Sequence, residues 1–505
     1  MSESSTERQS DHPEHHRVAI IGGGLAGLAT AAHLHLADPT LDLTLFEAAD
    51  QVGGVIQTDR EADFLIDHGA DMFALKPPAA FDLCKQLGVT DQLIEPKQEG
   101  RGAMIVCRGR LVPIPDGFVL MRATKLWPML KTPLLSVSGK LGLIAERFKP
   151  NNVTDTDQSV AQFVRTRMGE EVLQRIVGPL VAGIYTANIE KLSLLSTMGP
   201  IAKMVRTHGS LHHATKARRK SGEDSTERNS AGARYSQFRA FKNGMAGLID
   251  ALAGSLPAGV IHTSSPVAQI TQQASTSRWS VQVGDDIHQF DHVVVATPVA
   301  VTANLISQAA PVAAQQFAAI ESASTAIVVL GVRKSDVAAA VSTFGFVVPQ
   351  GEGRRILAGS FASNKFAGRA PDDQLLIRVF IGGAMQSDLL ANDDDALIQM
   401  AREELADLIG LSGDPIVSKV IRWNKAMPQY HVGHRQRVEE IEQDLANVTG
   451  LSVIGNAMHG VGISPLIGEG KKTSQKVRQA LAENCLLYTS PSPRDATLSR
   501  MPSSA

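Results

Sequence analysis

The stretch VAIIGGGLAGLAT, residues 18–30, decides the fold of this chain. Its first four residues are apolar and are followed by glycines, which is the pattern of a buried parallel strand. Gly22, Gly24 and Gly27 then have the spacing G-x-G-x-x-G. The first glycine permits a tight turn, the second lets a pyrophosphate approach, and the third lets helix and strand pack closely. The pattern predicts a dinucleotide site at the amino end of a helix over residues 28–36.

A second strand and an acidic residue complete this motif. LDLTLF, residues 41–46, alternates as a strand, and Glu47 follows 20 residues after Gly27, where a carboxylate can accept both ribose hydroxyls of a dinucleotide. These features predict a Rossmann-type domain but leave FAD and NAD open. Gly53 and Gly54 in ADQVGGVIQT favour FAD, because a second glycine-rich turn meets the pyrophosphate in flavin enzymes. An ordinary turn would have the same two glycines.

The composition narrows the class of protein. The chain has 505 residues, of which 43% are hydrophobic and 20% charged, as expected for a folded protein with several domains. A net charge of -2 argues against a nucleic-acid partner. The three cysteines have no paired spacing, which indicates a reducing compartment without disulfides or a metal site. The start is polar, unlike a secretory signal, and no apolar run is long enough for a membrane span, so we expect a cytoplasmic protein.

The remainder of the chain divides into patterned segments. Residues 96–206 indicate helices, and their apolar residues are mixed with lysines and arginines between residues 111 and 149. This mixture suits a surface that dips into a membrane interface, although a core-facing helix pair with solvated lysines has the same composition. Residues 207–236 are poor in apolar side chains and predict a mobile surface loop. Alternating segments predict three strands between residues 265 and 298 and four more between residues 324 and 383. Gly460 and Gly462 precede a helix whose amino end can hold a flavin carbonyl.

The predicted fold is therefore α/β, with a Rossmann-type FAD-binding domain, a mixed-sheet substrate domain and a helical, membrane-associating insertion. Residues 485–505 have no helix or strand period, and their first part matches the translation of a common sequencing-library adapter, so we predict a non-native tail; a natural Ser/Pro-rich tail is the alternative. The predicted segments are a disordered tail (1–16), three parts of the FAD-binding domain (17–75, 237–300 and 450–484), two parts of the substrate domain (76–95 and 301–449), the helical domain (96–206), the mobile loop (207–236) and the non-native tail (485–505).

Several blocks resemble the oxygen-dependent protoporphyrinogen oxidase family, which belongs to the flavin amine oxidase superfamily. They include IIGGGLAGL, GADMF, LVPIP, VAGIYTANIEKLSL, FKNGMAGL, FGFVVP, RVFIGG and GNAMHGVGI, and they extend from residue 18 to about residue 475. VAGIYTANIEKLS is the most specific of them. The resemblance implies these FAD contacts: Gly22, Gly23, Gly24, Leu25, Ala26, Gly27, Glu47, Gly53, Gly54, Val55, Gly69, Ala70, Asp71, Met72, Val267, Val461, Gly462 and Ile463.

The same resemblance implies a tetrapyrrole pocket. Its lining residues are Arg101, Gly183, Phe344, Gly345, Val347 and Phe380. Phe380 would stack on a pyrrole ring, although core packing of a strand phenylalanine is an equal alternative. Arg101 lies near, but out of register with, the family's arginine for a substrate propionate. Ser464, Pro465 and Leu466 also depart from the family, which often has Pro-Asp-Cys there.

The activity implied is the six-electron oxidation of protoporphyrinogen IX in haem biosynthesis, two electrons per flavin cycle, with oxygen as acceptor and hydrogen peroxide as product. Coproporphyrinogen III, with two more carboxylates, is the alternative that extra Arg or Lys in the pocket would favour. An amine or polyene oxidase and a flavin carrier without turnover are further alternatives. No catalytic side chain is nominated, because this chemistry needs positioning and water exclusion. We further expect the protein to bind peripherally to the cytoplasmic face of a membrane. We also expect its protein partner to be ferrochelatase or a second copy of this chain.

Overall fold

The fold is described from a computed structural model, which describes residues 16–119, 121–151, 154–221, 235–273 and 278–489. Residues 1–15 of the predicted tail, residues 222–234 of the predicted loop and residues 490–505 lie outside these ranges. Residues 485–489, which we assigned to the non-native tail, continue the last helix of the chain.

A five-stranded parallel sheet forms the centre of the nucleotide domain. The strand over residues 17–21 occupies its middle, and four of its five residues are buried, as its apolar sequence predicts. Across the sheet the strands are Ile261–His262, Asp42–Phe46, Arg17–Ile21, His292–Val295 and Leu451–Val453. One face carries helices Leu25–Ala37, Ala79–Gln86, Ala246–Gly254 and Ile463–Thr489. The other carries helices Val299–Ile306, Pro311–Ala318 and His434–Ala446 and the antiparallel strands Val267–Gln272, Trp279–Val283 and Asp286–Phe290.

A seven-stranded mixed sheet lies in the predicted substrate domain, and the α/β class with a mixed sheet is confirmed. Its strands, in spatial order, are Val417–Pro428, Ser322–Arg333, Gln374–Gly382, Ala358–Phe361, Gly345–Val347, Met104–Cys107 and Arg110–Pro113. Helix Asp394–Ile409 packs on one face. The opposite face packs in part against Phe64 and Ile66 of the nucleotide domain. The predicted boundary at residue 96 is wrong, because the hairpin over residues 104–113 pairs with this sheet through Phe346 and Met104.

The insertion contains helices, as predicted, around its own apolar core. They are Leu126–Lys131, Val137–Ala145, Val160–Met168, Glu170–Val172, Gly178–Tyr185, Leu194–His208 and Leu211–Lys220, with a π-helical segment over Leu173–Val177 and two short strands, Phe118–Val119 and Arg122–Ala123. Within the described ranges, no helix has both the length and the apolar character that crossing a membrane would require. The shorter elements elsewhere are strands Thr58–Glu61, Phe64–Asp67, Phe73–Ala74, Leu93–Ile94 and Phe238–Phe241 and helix Ala362–Lys365.

The first part of the predicted mobile loop is instead a fixed helix, Leu211–Lys220. Ser210 is the N-cap of this helix, and its Oγ accepts a hydrogen bond from the backbone N–H of His213 at 3.1 Å. The buried carboxylate of Glu146 accepts the N–H groups of Leu211 (2.8 Å) and His212 (3.1 Å), and it pairs with Arg167 at 3.0 Å. The segment is therefore helical despite its polar composition, because hydrogen bonds to Ser210 and Glu146 fix the start of the helix.

Candidate active site

The first glycine turn has the geometry that its spacing predicts. Gly22 has φ +107°, and a Cβ there would lie 2.5 Å from the carbonyl oxygen of Ala296. A Cβ on Gly27 would lie 1.9 Å from the carbonyl oxygen of Gly22. In contrast, a Cβ on Gly24 would meet nothing within 4 Å. The chain itself thus requires the first and third glycines, and the second faces open space where a pyrophosphate can approach the helix start.

The second glycine pair lies directly on this first turn. The N–H of Gly53 donates to the carbonyl of Gly23 at 2.8 Å, and a Cβ on Gly54 would lie 3.5 Å from Cα of Gly24. Gly53 and Gly54 have φ values of +114° and +58°, which favour glycine. Glu47 is adjacent, and its Oε2 accepts the N–H of Gly23 at 2.6 Å. The two turns and the carboxylate form one cradle.

Residues 69–72 extend the cradle toward the substrate sheet. A Cβ on Gly69 would lie 2.3 Å from the carbonyl oxygen of Val55, a residue that is 44% exposed. Ala70 is exposed, Met72 is half-buried and Asp71 is buried. Position 69 therefore requires glycine because Val55 packs so closely against it, and the exposed Val55 and Ala70 form a lining with little side-chain bulk. This lining fits an extended dinucleotide such as FAD.

Asp71 is held by two cations. Its Oδ2 lies 2.9 Å from Nζ of Lys365 and 3.4 Å from Nη1 of Arg378. Burial acts to raise the pKa of this carboxyl, but the two cations outweigh burial and lower the pKa to about 2. The Asp71 side chain thus faces the substrate sheet as an anion.

The last glycine turn reaches the same region from the end of the fold. Val461 packs against the helical insertion, Gly462 is half-buried, and Ile463 begins the final helix. Ser464, where the sequence departs from the family pattern, donates through Oγ to the carbonyl of Ala74 at 2.5 Å. The departure therefore leaves the turn anchored to the strand that follows residues 69–72.

The other predicted cofactor residues lie around this cradle. Leu25 and Ala26 are buried in the first turn of their helix. Val267 is half-buried in the antiparallel sheet, two residues after Ser265, whose N–H donates to the backbone carbonyl of Glu47 at 2.8 Å. Residues from all three parts of the predicted FAD-binding domain thus follow the carboxyl ends of strands Arg17–Ile21, Asp42–Phe46, Ile261–His262 and Leu451–Val453 in the nucleotide sheet.

Four of the predicted substrate residues meet on one face of the mixed sheet. Val347 pairs with Ala358, and Ala358 pairs with Phe380, so these side chains form a row across three strands. Gly345 lies two residues from Val347 and shares its face. Gly183 is exposed on its helix, and a Cβ there would lie 3.3 Å from Cγ1 of Val347. Gly345 is buried, and a Cβ there would lie 2.4 Å from the carbonyl oxygen of Gly359, so Gly183 is the exposed glycine of the two.

The other two predicted substrate residues are placed differently. Phe344 is 1% exposed, so its ring belongs to the interior. Arg101 donates to the carbonyls of Lys97 (2.9 Å) and Pro96 (3.1 Å), which directs its guanidinium to its own loop. That loop is adjacent to the segment before Phe344, whose N–H donates to Gly102. Arg101 is therefore near the substrate sheet but is already hydrogen-bonded.

Sequence reasoning missed the cations at this face. Lys365 follows strand 358–361, and Arg378 lies inside the apolar run LLIRVFIGG. The arginine within this apolar run indicates a buried charged site, because a buried arginine requires an acidic or hydrogen-bonding partner.

The fold and the cradle define a flavin-dependent oxidoreductase. The chain matches the family "Flavin containing amine oxidoreductase" over residues 25–477 and belongs to it, which confirms FAD over NAD. It is 31% identical to coproporphyrinogen III oxidase of Bacillus subtilis over 92% of this chain and 97% of that one. It is 32% identical to the enzyme of that name from Propionibacterium freudenreichii, over 94% and 93%. Protoporphyrinogen oxidase 2 of Arabidopsis thaliana is 25% identical over 93% and 95%.

A solved structure shares the complete fold. The protein from Exiguobacterium sp. 255-15, provisionally named a protoporphyrinogen oxidase, superposes with a TM-score of 0.80 at 26% identity. The match covers 92% of this chain and 98% of that one.

Proposed function

We propose that this protein is a coproporphyrinogen III oxidase, which uses FAD and oxygen to form coproporphyrin III and hydrogen peroxide in haem biosynthesis. The observation that carries the proposal is the identity of 31–32% to relatives of that name over more than nine-tenths of the chain. The protoporphyrinogen oxidase relative is 25% identical. Our expectation of protoporphyrinogen IX is therefore less well supported, and this substrate is the second candidate.

The charges around the candidate site agree with the more acidic substrate. Coproporphyrinogen III has two more carboxylates than protoporphyrinogen IX. Lys365, Arg369 and Arg378 lie behind the substrate face and outnumber Asp67 and Asp71. A local excess of positive charge favours a ligand with more negative charge.

The residues of this chain would mainly bind and shield the substrate. The flavin supplies the two-electron oxidation when it is bound. The row of Val347, Ala358 and Phe380 offers an apolar face to the macrocycle, and the exposed Gly183 adds no side-chain bulk beside it. Such a face excludes water and fixes the distance between substrate and flavin, which are the main requirements of this reaction.

The test is a direct comparison of the two substrates. The purified protein, saturated with FAD, is mixed with coproporphyrinogen III or protoporphyrinogen IX, and porphyrin fluorescence gives kcat/KM for each. One extra charge-assisted hydrogen bond contributes about 1.5–3 kcal/mol, so we expect at least about a tenfold preference for coproporphyrinogen III. The reverse preference would establish the second candidate. A yellow protein that oxidises neither substrate would support an amine or polyene oxidase, or a carrier.

We also propose that the helical insertion binds the cytoplasmic face of a membrane. Its first two helices and the 3₁₀ turn over Glu146–Phe148 carry large apolar side chains that are 60–78% exposed: Trp127, Val137, Leu141 and Phe148. Nζ of Lys131 lies 5.3 Å from the Trp127 ring centre, and Cζ of Arg147 lies 4.8 Å from that of Phe148. Exposed apolar tips beside cations are typical of surfaces that enter the headgroup layer. Binding of this protein to ferrochelatase, or to a second copy of the same chain, stays a prediction.

A further inference from the structure

A buried group of five charged side chains joins the nucleotide domain to the substrate sheet. It consists of Asp67, Asp71, Lys365, Arg369 and Arg378, and we call it the charge cluster. Besides the two contacts of Asp71, Nη2 of Arg369 lies 3.5 Å from Oδ2 of Asp67. No side chain of the cluster is more than 13% exposed. Three cations face two carboxylates, so the cluster has an excess of one positive charge.

Hydrogen bonds satisfy the two arginines only in part. Arg378 donates through Nη2 to the carbonyl of Gly69, and Arg369 donates to two backbone carbonyls at 3.0 and 3.1 Å. The Nε atoms of both arginines are buried and have no hydrogen-bond partner among the residues that the structure describes. A buried charge acts over a longer range than an exposed one, because its surroundings have a low effective dielectric constant.

The cluster lies between the two predicted ligand faces. Asp71 belongs to residues 69–72, which continue the cofactor cradle, and Arg378 binds the carbonyl of Gly69 in the same segment. On the other side, Cζ of Arg378 lies 5.5 Å from the ring centre of Phe380 on the substrate face. A flavin that lies between the cradle and the substrate face is therefore near an uncompensated positive charge.

We propose that the charge cluster raises the midpoint potential of the bound flavin. When the substrate gives up two electrons and the flavin gains them with one proton, the flavin acquires one negative charge. A nearby positive charge stabilises this reduced state relative to the neutral oxidised state. The inference depends on flavin binding, which the family establishes, and not on the porphyrinogen proposed above. Lys365 acts here through its charge, without contact to the reacting atoms.

The two members of one ion pair give opposite expected results. Lys365→Met removes a positive charge and should lower the midpoint potential of the complete FAD-loaded protein. Asp71→Asn removes a negative charge and should raise it. We expect each change to alter the equilibrium between oxidised and reduced flavin at least about tenfold, which for two electrons corresponds to about 30 mV. Reductive titration against a reference dye measures this without any porphyrinogen. A structural role alone predicts shifts of the same sign or none, and either result would overturn the proposal.

Lys419→Met is the matched control. Lys419 pairs with Asp59 and also ties the nucleotide domain to the substrate sheet, but the two side chains are 34% and 37% exposed. Water and salt screen this pair, so its loss should leave the potential unchanged. A shift equal to that of Lys365→Met would contradict the proposal. Lys365→Arg keeps the charge and should retain the original potential. If Lys365→Met does not retain FAD, Asp71→Asn decides alone, and an unchanged or lower potential would reject the proposal.

Discussion

Gly23 and Glu47 are joined by a hydrogen bond of 2.6 Å from the backbone N–H of the glycine to Oε2 of the carboxylate. The other oxygen, Oε1, accepts the N–H of Ala49 at 2.8 Å. The side chain thus fastens the first glycine turn to the end of the second strand. Each carboxylate oxygen keeps a further lone pair that a ribose hydroxyl can use.

Glu47→Gln should weaken FAD binding about 10- to 100-fold. The substitution removes the charge and places an NH₂ group opposite a backbone N–H donor, and a hydrogen bond to a charged group contributes about 1.5–3 kcal/mol. The affinity is measured by titrating the apoprotein with FAD and following the loss of flavin fluorescence. Asp42→Asn is the control, because Asp42 is an exposed carboxylate at the start of the strand that Glu47 follows. Equal affinities for Glu47→Gln and the unmodified protein would contradict the ribose role.

Gly27→Ala and Gly24→Ala should separate folding from cofactor binding. The new methyl group at position 27 collides with the backbone at position 22, so we expect the apoprotein to lose about 1–3 kcal/mol of unfolding free energy. The methyl group at position 24 meets no protein atom and should change stability by less than about 0.5 kcal/mol. It should nevertheless reduce FAD affinity, because it occupies the approach of the pyrophosphate. Urea unfolding and FAD titration measure the two effects, and normal FAD binding by Gly24→Ala would refute this assignment.

His292 should make the protein less stable in mild acid. Burial lowers the pKa of its imidazole to about 4, whereas the unfolded chain has a value near 6.5. Below about pH 6.5 the unfolded state binds a proton that the folded state excludes, so stability falls by about 1.4 kcal/mol per pH unit as the pH approaches 4. His33 and His434, whose pKa values burial also lowers to about 4, act in the same direction.

His292→Gln should therefore give a flatter dependence of the unfolding free energy on pH between 6.5 and 4. Glutamine does not take up a proton in this range and is able to hydrogen-bond Ser452, the present partner of His292 at 3.0 Å. Urea unfolding at several pH values measures the slope. The exposed His208 provides a control through His208→Gln. An unchanged slope for His292→Gln would show that this histidine is not the source of the acid sensitivity.

Replacing Trp127 and Phe148 together by serine should reduce binding to anionic lipid vesicles. Each large apolar side chain that enters the interface contributes about 1.5–3 kcal/mol. The partition constant between vesicle and buffer, measured by sedimentation, should therefore fall at least about tenfold. Val301 and Val312 are 42% and 48% exposed on helices that pack against the nucleotide sheet, and their double substitution by serine is the control. Equal loss of binding in both double variants would argue against a specific membrane surface.

The nucleotide domain could be predicted because its signals are local. The apolar strand, the three glycines and Glu47 occur within thirty consecutive residues, and the structure shows backbone crowding at Gly22 and Gly27 and open space at Gly24. The relation between strand 17–21 and strand 292–295 was also accessible, because both are short apolar runs followed by a turn. In such segments, the spacing of the apolar residues and the residues of the following turn predict the same secondary structure.

The missed features depend on partners that are distant in sequence. The hairpin over 104–113 is short and contains CRGR, and it becomes part of the mixed sheet only through strand 345–347. Helix 211–220 is basic, and its start is fixed by Glu146, far earlier in the chain. Lys365 and Asp71 likewise meet only after folding. The composition of a segment does not reveal contacts with residues that are distant in sequence. Ser210 is nevertheless a local signal for the start of a helix, because serine is a preferred N-cap residue.

The order of strands across the nucleotide sheet sets when the cofactor can be captured during synthesis. The amino-terminal loop emerges from the ribosome first, but the strand at 451–453 and the turn at 461–463 emerge last. At about 5–20 residues per second, translation of the intervening chain takes roughly 20 to 90 seconds. The central strand of the sheet is therefore translated long before the edge strand at 451–453, and the complete set of predicted FAD contacts forms only after residue 463 has been translated.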